Sequence, residues 1–196
     1  MPRVAPLSRA DHPEFEDLYE GAEASLGFVP NSMLTMARRP EIARAFGGLS
    51  RAVMGGGTLP AGLKSLIALM ASNAAGCRYC QAHGASRADR SGEDAAKVAA
   101  IWEYETSELF SAAERAALNL ARGAALVPNQ ASDEDFAELR QHFDDGEIVE
   151  IVATIALYGF LNRWNDTLAT EIEDEPRTVA TRTLAESGWE AGKHLS

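Results

Sequence analysis

An all-α fold is predicted by three features of the chain. Apolar residues recur at three- and four-residue spacing along almost every segment. Ser, Thr, Asp and Pro stand where those segments begin. No run alternates apolar and polar residues as a half-buried strand would.

Taken in order, Ser8 to Ala24 reads as a first helix, with Ser8 as cap and Phe15, Leu18, Tyr19 and Ala22 on one face. Leu26 to Asn31 is a loop punctuated by Gly27 and Pro30, and Ser32 to Ala37 is a short helical turn. Pro40 opens a helix carrying Ile42, Ala45, Phe46, Leu49 and Val53, which Gly55-Gly56-Gly57 ends. Thr58 and Pro60 start the apolar helix Leu63–Ala75, and Ser91 caps a helix from Gly92 to about Trp102. Ser111 with Glu114 forms a capping box for Ala112–Leu126, with Pro128 beyond its end. Ser132 precedes three acidic residues suited to a helix N-terminus. Asp144 or Asp145 caps a long apolar helix to about Thr170, and Pro176 restarts a last amphipathic segment containing Trp189.

The chain of 196 residues, 46% of them hydrophobic, is sized for one domain. The expected parts are an N-terminal arm (about 1–39), a cysteine-bearing half (about 40–105), a second half (about 106–175) and a C-terminal helix (about 176–196). The formal net charge of −11 and a pI near 4.8 argue against a nucleic-acid or anionic-membrane surface, which needs clustered Lys and Arg. Leu63–Ala75 and Ile148–Leu161 are too short and too polar to span a bilayer. With no apolar signal segment at the start, a cytoplasmic protein is expected.

Both cysteines lie in Gly76-Cys77-Arg78-Tyr79-Cys80-Gln81-Ala82-His83. In a reducing compartment such spacing points to redox or metal chemistry rather than a structural staple. On a helix, Cys77, Cys80 and His83 form one stripe. One thiolate would attack a peroxide oxygen and become a sulfenic acid, and the other would resolve it to a disulfide. His83 and Arg78 are candidates to stabilise a thiolate. On the residues alone two further readings stay open. One is a pair of simply buried cysteines. The other is zinc, for which three donors are present without an obvious fourth. Covalent haem is excluded because Gln81, not histidine, follows Cys80.

At an offset of 85 residues a weak internal repeat lays Leu63, Leu66, Ile67, Met70 and Ala71 over Ile148, Ile151, Val152, Ile155 and Ala156. Cys77-Arg78-Tyr79-Cys80 then overlies Asn162-Arg163-Trp164-Asn165, so the second copy carries amides where the first carries thiols.

Leu59-Pro60 through Lys64–Leu69 and on to Gly76–His83 resembles the core of the carboxymuconolactone decarboxylase / alkylhydroperoxidase D-like (AhpD-like) superfamily, in particular its peroxidase-related members. Leu26–Asn31, Phe110–Glu114 and Phe160–Asn165 extend the resemblance across most of residues 26–170. It implies an AhpD-like helical bundle, a homo-oligomer, and thiol-dependent reduction of a small alkyl hydroperoxide with no haem or metal. It also implies that Cys80 meets the peroxide and Cys77 resolves it, with a thiol or dithiol partner as reductant. The sequence departs from the family's relay at three places. Ser65 stands where the family has a glutamate, Tyr79 where it often has a histidine, and Gly84 where it has another. Glu150, the repeat counterpart of Ser65, is a candidate substitute, and Tyr79, Arg78 and Asn165 are candidate supporting residues. His12, His142 and His194 read as surface residues. Two alternatives accompany this expectation: a non-catalytic helical oligomer that lost the relay glutamate, and a lyase or isomerase acting on a small organic acid.

Overall fold

A computed structural model describes residues 1–195. Among these residues there are ten α-helices and no strand, as the periodicity predicts. The helices are α1 (Glu16–Leu26), α2 (Asn31–Met36), α3 (Pro40–Gly55), α4 (Ala61–Ala75), α5 (Arg78–Arg90), α6 (Ala95–Ala99), α7 (Ala112–Ala125), α8 (Asp133–Leu139), α9 (Asp145–Leu168) and α10 (Asp174–Leu184).

The core is built around α4. Leu66 through Ala71 are wholly buried on every side of that helix, because α5, α7 and α9 all pack against it. A helix apolar all round belongs in an interior, and α4 is that helix here. A smaller cluster of Phe15, Leu18, Tyr19, Met36, Ala37 and Ala43 fastens α1–α3 to Leu161 and Trp164 of α9.

Capping residues place the helix starts much as expected. Ser111/Glu114 forms the predicted capping box, and Ser132/Asp135 and Asp144/Glu147 form two more. Each satisfies backbone N–H groups that the first turn leaves unpaired.

Four boundaries differ from expectation. The first helix is split into two 3-10 turns, Arg9–Asp11 and Pro13–Phe15, before α1 begins, because Pro13 lacks an N–H and disfavours helix at the preceding residue. Ser91 closes α5 instead of opening α6, whose cap is Asp94. Thr58 does not cap α4; its N–H and hydroxyl are bonded to Glu150. Finally, α10 starts with Glu173 as its N-cap residue and ends at Leu184, and Gly188 (φ 81°) turns the chain beyond it.

The internal repeat has a structural counterpart with one break. Gly76, in the left-handed conformation (φ 74°), ends α4, so the cysteines open a new helix. Its counterpart at the 85-residue offset is Leu161, through which α9 continues unbroken. The chain therefore makes two helices in the first copy from what is a single helix in the second.

Candidate active site

The turn at Gly76 makes Cys77 the N-cap residue of α5 and puts Cys80 in its first turn. Both are free thiols, and both are buried. The Cys80 thiol donates to Cys77, and the backbone N–H groups of Cys80 and Tyr79 point at the same sulfur; these hold Cys77 below the ordinary thiol range despite its burial. Cys80 moves the other way: burial, and then the neighbouring Cys77, push its thiol up. The two sulfurs are thus unequal, Cys77 the more acidic and the Cys80 proton directed toward it.

Cys80, not Cys77, faces an internal recess of about 60 Å³, together with Tyr79, His83, Arg87, Tyr158, Asn165 and a rim that includes Leu26, Met33 and Phe46. A second recess of about 220 Å³ shares Leu26, Met33, Ser50 and Arg87 with it and forms an outer bowl between α1 and α3. The inner chamber has room for the reactive end of a small molecule, with Leu26, Met33 and Phe46 on its apolar side and Arg87 among its polar lining.

Asn165 from α9 reaches Cys80, its Nδ2 lying 3.5 Å from Sγ. The residue that replaces the second cysteine in the downstream copy therefore faces that cysteine directly. Its Oδ1 has no hydrogen-bond partner among the described residues.

One turn along α5 from Tyr79 stands His83, and the two rings stack at 4.2 Å. Phe28 meets the imidazole edge-on at 5.5 Å. His83 Nε2 is 2.7 Å from Oε2 of Glu173, and the Tyr79 hydroxyl donates to Oε1 of the same carboxylate at 2.9 Å. The backbone N–H of Asn31 completes the set. Burial raises the Glu173 pKa, but the charge and hydrogen bond of His83 and the Asn31 N–H outweigh it, and the net shift is downward.

Glu173 is the residue that sequence reasoning missed. It belongs to the acidic stretch Glu171–Glu175 ahead of Pro176, which reads only as a helix start. Packing of α10 on α5 brings it beside His83, 90 residues away in the chain. Ser65, at the family's glutamate position, is buried and donates to the Ala61 carbonyl at 2.8 Å. Gly84, at a family histidine position, lies so close to α4 that a Cβ would sit 2.9 Å from the Leu69 Cα.

Two candidate supporting residues lie elsewhere. Glu150 accepts from Lys64 (2.7 Å) and from the N–H groups of Thr58 and Leu59. The Lys64 hydrogen bond leads these in holding its pKa at about 2. Lys64 is almost fully buried and also donates to the Val53 and Gly56 carbonyls. Glu150 therefore neutralises a buried ammonium and pins Thr58 and Leu59, in the α3–α4 loop, to α9; it does not reach the cysteines. Arg78 is exposed, bonded to Gln81 at 3.2 Å, and lines a groove with Trp102 and Trp189 instead of the recess.

A third correction concerns His194. It is buried, with Nδ1 2.7 Å from the Thr170 carbonyl oxygen. With Cys77 and Asp166 it forms the group of side chains in which potential metal-donor atoms converge, all within 4.8 Å of one another. Asp166 is already paired with Lys193 at 2.8 Å, so an ammonium sits where a cation would compete for that carboxylate.

Comparison with known proteins agrees with this architecture. The carboxymuconolactone decarboxylase family profile matches residues 40–123. The crystal structure of a cysteine-to-alanine variant of the debrominase Bmp8 in complex with 2,3,4-tribromopyrrole is similar at 40% identity and a TM-score of 0.87, covering 92% of this chain and 96% of that one. A peroxidase-related protein with an alkylhydroperoxidase AhpD core from Ralstonia eutropha JMP134 is 26% identical (TM-score 0.79), over 89% of this chain and 94% of its own. The Bacillus subtilis (strain 168) protein YdfG is 28% identical over 103 residues, which is 52% of this chain and 68% of YdfG. The chain belongs to the carboxymuconolactone decarboxylase / AhpD-like superfamily.

Proposed function

We propose that this chain is a thiol-dependent oxidoreductase that reduces a small alkyl hydroperoxide and stores the oxidation as a Cys77–Cys80 disulfide. The observation that carries this reading is the site itself: two adjoining thiols, one of them facing a recess, beside an imidazole–carboxylate–phenol cluster. The proton that Cys80 shares with Cys77 crosses to Cys77, and the Cys80 thiolate attacks the terminal peroxide oxygen. The O–O bond breaks, Cys80 becomes a sulfenic acid, and the departing alkoxide takes a proton from the His83–Glu173 pair. Cys77 then attacks the Cys80 sulfur; hydroxide leaves, is protonated to water, and the disulfide closes. A small thiol or dithiol reopens it, which suits a cytoplasmic setting where thiols are kept reduced. Among the described residues no helix is long and apolar enough to cross a membrane.

A second reading rests on the similarity to the debrominase Bmp8. Reductive debromination uses the same two electrons: a thiolate takes bromine from carbon as a sulfenyl bromide, the carbon gains a proton, and the second thiol expels bromide as the disulfide forms. In this reading the His83–Glu173 pair, in contact at 2.7 Å, would handle that proton.

One experiment tests both. The reduced protein is mixed with tert-butyl hydroperoxide or a bromopyrrole, and thiols are counted against time. Two thiols should be lost per substrate consumed, Cys80→Ser should abolish the loss, and Cys77→Ser should leave a sulfenic acid trappable on Cys80. Unchanged substrate consumption in both variants would sink the oxidoreductase reading. A response to the bromopyrrole alone would select the second.

Homo-oligomerisation belongs to the same proposal. Its support is an apolar groove between α3 and α9, lined by Ile42, Leu49, Val53, Leu157 and Phe160, with Ile42, Leu49 and Phe160 each more than 40% exposed.

A further inference from the structure

Closing the disulfide raises a problem that the recess does not solve. Once Cys80 has passed its proton to Cys77 and reacted, Cys77 holds a proton it must lose before its sulfur can attack. His83 stands with Cys80 on the recess, whereas Cys77 lies behind it, outside the lining.

Behind Cys77 lies His194, carried by the 3-10 turn Gly192–His194 and 1% exposed. Its Nδ1 faces the Thr170 carbonyl oxygen at 2.7 Å, and a carbonyl only accepts, so Nδ1 carries the ring proton. Nε2 is then a bare lone pair. It has no hydrogen-bond partner among the described residues and stands 3.7 Å from Asp166 Oδ1, in a cluster where a ring nitrogen, a carboxylate oxygen and Cys77 Sγ lie within 4.8 Å of one another. A buried acceptor without a donor is costly to keep, which makes this one a place to look for chemistry.

We propose, building on the oxidoreductase reading, that His194 Nε2 takes the Cys77 proton and so releases the thiolate that closes the disulfide. The Cys77 S–H bond breaks and an Nε2–H bond forms. The freed sulfur lone pair forms the S–S bond as hydroxide, or bromide in the second reading, leaves Cys80. Asp166 accepts from the imidazolium while it lasts, and the proton is then returned to solvent, offsetting the departing hydroxide. Burial lowers the His194 pKa, against smaller upward contributions from the Thr170 carbonyl and Asp166, so the ring starts neutral and able to accept. The titratable groups around it are Cys77 from the start of α5, Asp166 from α9, Lys193 beside it in the chain, and the Tyr79 ring at 6.1 Å.

The test needs no peroxide. In Cys80→Ser, Cys77 is the lone thiol and its thiolate is read by absorbance at 240 nm against pH. Adding His194→Asn, which retains a donor for Thr170, should move the midpoint up by about one pH unit, a tenfold change in thiolate fraction. His194→Gln, which fills the Nε2 position with an amide that takes no proton, should do the same. A midpoint unmoved in either folded variant overturns the proposal. In the unaltered protein, NMR of the labelled imidazole provides a check without substitution: the His194 titration should differ between the dithiol and the disulfide, and identical curves overturn the proposal. In wild-type background, His194→Asn should slow disulfide closure roughly 10- to 100-fold at pH 7, with the deficit shrinking as pH rises. If the 240 nm shift is present but peroxide and bromopyrrole leave both thiols intact, the oxidoreductase reading fails while the His194–Cys77 coupling stands.

Discussion

Glu173 joins three donors from two parts of the chain: the Asn31 N–H at the start of α2, and the Tyr79 hydroxyl and His83 Nε2 of α5. Replacing it by Gln retains the size and removes the charge that orients the imidazole. We expect Glu173→Gln to lower kcat about 100-fold in a peroxide assay while Cys80 remains alkylatable in the unfolded protein. A loss confined to KM would place Glu173 in binding instead. The same residue sets an acid response. Its folded pKa lies below its unfolded value, so its stabilising contribution is complete above the unfolded pKa and is lost as pH falls through the folded one. The fall in Tm between pH 6 and pH 3 should therefore be smaller in Glu173→Gln than in the unaltered protein. The sequence carries Cys77, Cys80 and His83 in plain view because residues three apart on one helix share a face. It does not show Glu173, because nothing local links residue 83 to residue 173 until α10 packs on α5.

At the scale of elements, α4 and α9 are joined by charge as well as by apolar packing. Lys64, in the first turn of α4, is buried and is neutralised by Glu150 of α9. Glu150→Ala strands that ammonium and frees the α3–α4 loop, so a destabilisation of about 3 kcal/mol is expected in chemical denaturation, as for a broken buried pair. The rate of peroxide-dependent thiol loss in the fraction that remains folded should be unchanged; a specific loss of rate would return Glu150 to the site. The repeat offset that suggested Glu150 as a substitute acid pairs Leu66 with Ile151, both buried, but also Ile67 with the exposed Val152. A residue equivalent to Ser65, however, lies on the second copy's helix, near the first copy's N-terminal end and not near its thiols. The same offset pairs Cys80 with Asn165, and there the two positions do touch, at 3.5 Å.

For the whole molecule, the apolar groove between α3 and α9 is the surface on which the proposed oligomerisation rests. Leu49→Glu at its centre should convert an oligomer to a monomer in light scattering while leaving the helical circular dichroism spectrum unaltered. An unaltered mass would move the interface elsewhere. The recess at Cys80 is lined by α5 and α9 on one side and by α1, α2 and α3 on the other.

Sequence periodicity and caps were sufficient for the all-α class, for most helix starts, and for the cysteine–histidine stripe, since each depends on neighbours within four residues. The resemblance to the superfamily extended this to the architecture. Only the tertiary structure decided which charges attend the thiols. It brought Glu173 and His194 in from the C-terminal region and sent Glu150 to a buried lysine. It turned Arg78 outward and set the two sulfurs' acidities apart. The physical reason is that a pKa or a proton path depends on distances of a few ångströms between residues that the chain order separates by scores of positions.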